Sequence, residues 1–191
     1  MKKVSLLITI LASMSLQNLH SQTVNDTLVS LLTCGTGTET YSIYGHSALR
    51  IVITEKNQDL VYNWGVFDFG TPNFAWKFAK GRLDYMLAVE NVKGFLQIYN
   101  YEKRYVYSQR LNLSKSETAE LITLINENLR PENIKYRYDF FYDDCSTRIR
   151  DLIEKSVGEK LLYPPGEGAK SPSFRDMVGK YQDPFPWLKF G

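Results

Sequence analysis

The chain reads His46-Ser-Ala-Leu-Arg-Ile-Val-Ile-Thr54, then Glu55-Lys-Asn-Gln-Asp59, then Leu60-Val-Tyr-Asn-Trp-Gly-Val66. This stretch predicts a β-hairpin, because two segments rich in β-branched and aromatic residues flank a polar turn. His46 begins the first predicted strand and shares its face with every second residue that follows. The hairpin therefore predicts an antiparallel sheet that carries a histidine at the start of one strand.

The register of the hairpin stays open at this stage. If residues 55 and 59 are directly opposed, His46 lies across from Asp68. If the loop has an even number of residues, Phe67 takes that place, since a slip of one residue exchanges the two faces of a strand.

The rest of the chain predicts an α+β fold with a mainly antiparallel sheet and packed helices. A short apolar run predicts a strand over residues 27–33, and alternation predicts strands over residues 83–89 and 104–113. Residues 92–101 fit either a helix or a strand. Capping and periodicity predict helices that begin after Ser114, which opens a capping box with Glu117, and at Cys145. Short helices are expected over residues 72–80 and from Ser171 onward.

Cys145 lies where an aromatic run becomes helical, in Phe140-Phe-Tyr-Asp-Asp-Cys-Ser-Thr-Arg-Ile-Arg-Asp151. Asp144 fits the N-cap position, and Ile149 and Leu152 place Cys145 on the buried side of the helix. A helix N-terminus stabilises a thiolate through its free N–H groups and its dipole. The pattern fits a nucleophile, and it also fits a small buried core cysteine or one half of a disulfide.

His46 is one of two histidines in the chain, and the other, His20, lies in the segment expected to be removed on export. A strand histidine often only bonds to backbone, but a thiol and an imidazole are also the minimum parts of a cysteine nucleophile with its base. The sequence thus makes Cys145 and His46 a candidate catalytic pair.

The first 21 residues predict a signal peptide. Lys2 and Lys3 precede an apolar run from Val4 to Leu16, and cleavage is expected between Ser21 and Gln22. Residues 22–191 are then a single exported domain with a periplasmic location. Without the two lysines the chain carries as many basic as acidic residues, 21 of each. This balance predicts no binding to nucleic acid and no electrostatic attraction to an anionic membrane face.

The two cysteines allow one internal disulfide, between Cys34 and Cys145, and that bridge would remove the nucleophile. No zinc-ligand spacing is present, so neither a metal nor another cofactor is predicted.

Four motifs in order resemble one envelope family over nearly the whole mature chain. They are Leu32-Thr-Cys-Gly-Thr-Gly-Thr-Glu-Thr-Tyr-Ser-Ile-Tyr-Gly-His-Ser-Ala-Leu-Arg-Ile51, Val61-Tyr-Asn-Trp-Gly65, Phe67-Asp-Phe-Gly-Thr-Pro-Asn-Phe74 and Tyr138-Asp-Phe-Phe-Tyr-Asp-Asp-Cys-Ser-Thr-Arg-Ile-Arg-Asp151. The family is the N-terminal periplasmic domain of the Bacteroides-type lipoprotein N-acyltransferase, Lnb. More distantly, the order of histidine before cysteine resembles the circularly permuted NlpC-type papain-like fold.

The resemblance implies a thiol acyltransferase. Cys145 would take a fatty acyl chain from a phospholipid, with His46 as base, and pass it to the N-terminus of a lipoprotein. These partners also imply contact with a membrane surface. Asp68 would orient the imidazole under one hairpin register, and Asn63 is the alternative residue for this role. The chain departs from the family at Asp144, where an asparagine is usual.

Two other functions stay open. A cysteine amidase or peptidase acting on cell-wall peptides would use the same pair of residues on a different substrate. A non-catalytic envelope-binding domain, locked by a bridge between Cys34 and Cys145, would use neither.

Overall fold

The computed structural model describes residues 27–163 and 172–185, so the predicted signal peptide lies outside the described residues. Within these ranges, six antiparallel strands form one sheet in the order β5-β1-β2-β3-β4-β6. Their bounds are β1 Thr27–Cys34, β2 His46–Ile53, β3 Gln58–Val66, β4 Asp84–Asn91, β5 Val106–Arg110 and β6 Lys135–Arg137. The predicted α+β class with a mainly antiparallel sheet is confirmed.

Five α-helices accompany the sheet within the described ranges, namely α1 Phe74–Ala79, α2 Val92–Tyr101, α3 Lys115–Asn128, α4 Cys145–Val157 and α5 Phe174–Gln182. The expected capping box of Ser114 and Glu117 opens α3. Residues 92–101, ambiguous in sequence, are helical because the Asn91 side chain accepts the Lys93 N–H and caps the first turn.

Each face of the sheet is covered by helices. Helices α3 and α4 pack on one face, around a core that contains Leu49, Trp64, Leu121 and Ile149. Helix α2 covers the other face through Phe95 and its neighbours. This two-sided packing explains why both sets of alternate positions in β1 and β2 contain buried apolar residues.

The hairpin turn lies nearer the N-terminus than the two predicted registers require, and both registers are wrong. Ile53 pairs with Gln58, so only four residues, 54–57, form the turn. Asn57 adopts the left-handed conformation that closes a tight turn, with φ 48°. Gln58 and Asp59 therefore join β3, where Asp59 forms a bidentate ion pair with Arg50 at 2.6 and 2.7 Å.

Candidate functional site

Cys145 is the first residue of α4 and is buried. The Asp144 carboxylate accepts the N–H groups of Ser146 at 2.8 Å and Thr147 at 2.7 Å, and the Thr147 hydroxyl accepts the Asp144 N–H. The expected N-cap is confirmed. This capping box fixes the first turn of the helix and holds the thiol at its N-terminal end.

His46 belongs to a chain of side-chain hydrogen bonds across three strands. Its Nε2 lies 2.6 Å from Asn63 Oδ1, and Asn63 Nδ2 donates to the Glu90 carboxylate at 3.1 Å. Because a carboxylate only accepts, Glu90 sets the orientation of the Asn63 amide and turns its oxygen toward His46. The imidazole must then carry its proton on Nε2, which leaves Nδ1 as the basic nitrogen.

Asn63, the predicted alternative to Asp68, is thus the residue bonded to the imidazole. Asp68 lies in the exposed loop after β3, and its carboxylate accepts the Gly70 N–H at 2.8 Å. The position of the turn explains the difference, since extending the observed pairing brings Gly65 rather than Asp68 across from His46. Glu90 was not predicted from the sequence, because its role arises only from its place on the neighbouring strand.

Gly65 is the point at which the two candidate residues meet. It forms a bulge between Trp64 and Val66 and has a φ of +90°. A β-carbon at this position would lie 3.7 Å from Cys145 Cβ and 3.8 Å from His46 Cε1. The thiol and the imidazole therefore border one space, which stays open because residue 65 has no side chain.

Gly65→Ala is expected to lower the free energy of unfolding by about 1–2 kcal/mol, because of its positive φ, and to hinder alkylation of Cys145. Gly158→Ala is the matched control, since Gly158 also has a positive φ, +58°, but would meet nothing within 4 Å. Chemical denaturation and the rate of iodoacetamide labelling measure the two effects. Equal labelling rates in both variants would contradict a shared space above residue 65.

The two candidate groups are both neutral at rest. Burial raises the pKa of the Cys145 thiol, and Asp144 adds to this effect, whereas the N–H groups of Ser47 and Cys145 and the Ser146 hydroxyl oppose it. Burial lowers the pKa of His46, while its hydrogen bond to Asn63 acts in the other direction. The arrangement therefore suits proton removal from the thiol during attack rather than a permanent ion pair.

Asp143, the second carboxylate beside Cys145, is held by Arg148. The guanidinium donates to both carboxylate oxygens, at 2.6 and 2.8 Å, and lies 3.5 Å from the centre of the Tyr136 ring. This ion pair offsets a negative charge that would otherwise disfavour a thiolate.

Cys34 and Cys145 are both free and buried, so the bridge considered from the sequence is not formed. Cys34 pairs with His46 across β1 and β2 and is hydrogen-bonded to Tyr99. Burial raises the pKa of the Cys34 thiol to about 11. Cys34 is thus a protonated core thiol, and the disulfide-locked hypothesis is wrong.

A cavity of about 390 Å³ opens beside the pair, and its wall includes Cys145, His46, Asn63 and Gly65. Arg104 adds a guanidinium to this wall. Most of the other residues that line the cavity are aromatic, namely Tyr41, Tyr44, Phe67, Phe69, Phe78, Tyr85, Tyr99, Tyr138 and Phe140. A cavity of this size and composition suits a largely apolar ligand.

Within residues 27–163 and 172–185, no group of three or more histidine, cysteine or acidic side chains is arranged to hold a metal ion. In the same ranges, no helix has the length and apolar composition needed to cross a bilayer.

The comparisons with known proteins identify a family. Residues 16–167 match the family model described as the Lnb N-terminal periplasmic domain, and this range contains both His46 and Cys145. No curated protein and no solved structure gives a significant match. The family description agrees with the expected envelope location. The match covers well over half of the sequence, and the chain therefore belongs to the family of Lnb N-terminal periplasmic domains.

Proposed function

We propose that this domain is a cysteine acyltransferase of the cell envelope, which moves a fatty acyl chain from a phospholipid to the N-terminal amine of a lipoprotein. The observation that carries the proposal is the meeting of Cys145 and the His46–Asn63–Glu90 chain at the wall of an aromatic cavity. A strand histidine that precedes a helix-start cysteine also supports a circularly permuted papain-like arrangement.

In the first step, Cys145 Sγ attacks the carbonyl carbon of an acyl ester while His46 Nδ1 removes the thiol proton. The oxygen of the tetrahedral intermediate becomes negative, and the N–H groups of Ser47 and Cys145, which point toward the sulfur, are placed to stabilise it. The C–O bond then breaks, and His46 returns the proton to the departing alcohol oxygen. The products are a thioester on Cys145 and a lysophospholipid.

In the second step, the α-amine of the acceptor attacks the thioester carbonyl. The C–S bond breaks, the new amide forms, and His46 transfers the amine proton to the sulfur to restore the thiol. Water in place of the amine would release a free fatty acid. Exclusion of water by the aromatic wall therefore favours transfer over hydrolysis.

The cell-wall amidase or peptidase would use the same pair, but the cavity favours an acyl substrate. Its wall is mainly aromatic, whereas a peptide substrate presents a polar backbone whose hydrogen-bonding groups need partners on the enzyme.

The proposal is tested by incubating the chain with a phospholipid that carries a labelled acyl chain, followed by intact-mass analysis. The expected result is the mass of one acyl group on Cys145, lost when a lipoprotein-type lipopeptide with a free amine is added. Purified peptidoglycan is incubated in parallel. Release of peptides or amino acids there, without any acyl adduct, would replace the proposal with the amidase function.

A further inference from the structure

We infer that residues 67–82 form a docking surface for an anionic lipid bilayer, placed at the mouth of the cavity. The inference deepens the proposed function, because it names the surface through which the site reaches its lipid. Docking itself is a binding property and can be measured without any acyl transfer.

The segment exposes large aromatic side chains to water, which is unusual for a surface that has no binding partner. Phe69 is 67% exposed and Trp76 is 54% exposed, and no residue of α1 is buried. The helix reads Phe74-Ala-Trp-Lys-Phe-Ala79, so four of its side chains are aromatic or basic and none packs into the core. A contiguous apolar surface of this kind marks an interaction site.

The exposed rings are continuous with the cavity wall. Phe67 lies 5.0 Å from Phe69, 5.5 Å from Phe74 and 6.2 Å from Phe78, measured between ring centres. Phe67, Phe69 and Phe78 also line the cavity beside Cys145. One aromatic cluster therefore extends from the outer surface to the cavity that Cys145 lines, and it offers an acyl chain an apolar path out of a bilayer.

The charge of the segment selects an anionic bilayer as the occupant. Residues 67–82 contain three basic residues, Lys77, Lys80 and Arg82, and a single acidic residue, Asp68. The Arg82 guanidinium lies 5.9 Å from the centre of the Trp76 ring, so cation and aromatic ring share one surface. The near-zero charge of the whole chain predicts no attraction to such a membrane, but residues 67–82 by themselves carry a net positive charge. Aromatic rings beside lysine and arginine are typical of residues at a lipid–water interface.

The chain offers an internal reporter for the test. Trp76 is exposed, whereas Trp64 is fully buried and lies in the core. Trp187 lies outside the described residues, and Trp187→Phe removes its signal. Cys145→Ala in the same background prevents consumption of lipid, so emission changes report docking alone.

The experiment adds vesicles of phosphatidylcholine, with or without phosphatidylglycerol, to the chain processed at its predicted signal-peptide site. We expect co-sedimentation with the anionic vesicles, a blue shift of Trp76 emission and quenching by brominated lipid. Phe69→Ser with Lys77→Gln is expected to lower the partition coefficient about tenfold or more. Tyr101→Ser with Tyr107→Ser, at residues 87% and 67% exposed on other elements, is the matched control and should bind normally.

Equal binding by both double variants, or no binding to any vesicle, would overturn the docking surface. If binding fails while the chain that keeps Cys145 still forms a thioester from detergent-dispersed phospholipid, docking is wrong and the acyltransferase proposal stands. If vesicles bind through residues 67–82 but no acyl adduct forms, the proposed function fails and the docking surface stands.

Discussion

Cys145→Ala is expected to abolish acyl transfer, with a fall in kcat of roughly 10⁴–10⁶-fold, because the variant lacks the atom that forms the thioester. The fold should be kept, since alanine suits the first turn of α4 and Asp144 still caps the helix. Transfer of a labelled acyl chain to a lipopeptide amine measures the effect, and circular dichroism checks the fold.

Cys34→Ala is the matched control for this variant. Cys34 is also a buried thiol with a raised pKa, but it lies in β1 and does not line the cavity. It should keep most of the activity and lose some stability, because a small core side chain is truncated. Comparable losses of activity in the two variants would point to folding rather than chemistry, and full activity of Cys145→Ala would rule out a Cys145 thioester.

His46→Ala is expected to lower kcat by about 10²–10⁴-fold, the usual contribution of a positioned general base. The reason lies in the resting state: burial raises the pKa of the Cys145 thiol, so without a base few molecules carry a thiolate at neutral pH. Iodoacetamide labelling of Cys145 should be slow at pH 7 in the variant and accelerate as the pH rises. Unchanged labelling at neutral pH would show that the thiol does not depend on His46.

The pH dependence of activity in the unmodified chain is expected to follow the protonation of His46. His46 acts as a base only when neutral, and burial lowers its pKa below the ordinary value of 6.5. Activity should therefore persist below pH 6.5 and fall only as the pH drops through that lowered pKa. Asn63→Ala removes a hydrogen bond that raises this pKa, so the acid limb should shift further toward low pH. A shift toward high pH would contradict the assigned role of Asn63.

Much of the fold followed from local patterns. The Ser114–Glu117 capping box and the Asp144 cap predicted the starts of α3 and α4, because capping depends on residues within one turn. Strand β6 was not predicted. Its three residues, Lys135–Arg137, are too few to show alternation, and they are extended because they pair with β4.

The site, like the fold, has some residues that could be predicted from the sequence and others that could not. Cys145 and His46 were identified from residue type and position, since a histidine at a strand start and a cysteine at a helix start are visible in the chain itself. Asn63 was only the alternative to Asp68, because the choice between them depended on where one turn lies and therefore on the strand register. Glu90 and Gly65 had no local signal, since the first acts from a neighbouring strand and the second through the absence of a side chain.

The sequence by itself thus determined the fold class, the export expectation and the candidate nucleophile and base, all of which rest on composition, periodicity and short motifs. Only the tertiary structure decided what holds the imidazole, whether the cysteines are bridged, and which rings line the cavity. The residue that holds the imidazole depends on the register between β2 and β3, and the space shared with Cys145 depends on a bulge at Gly65. A slip of one residue exchanges the two faces of a strand, so strand pairing, rather than residue identity, builds this site.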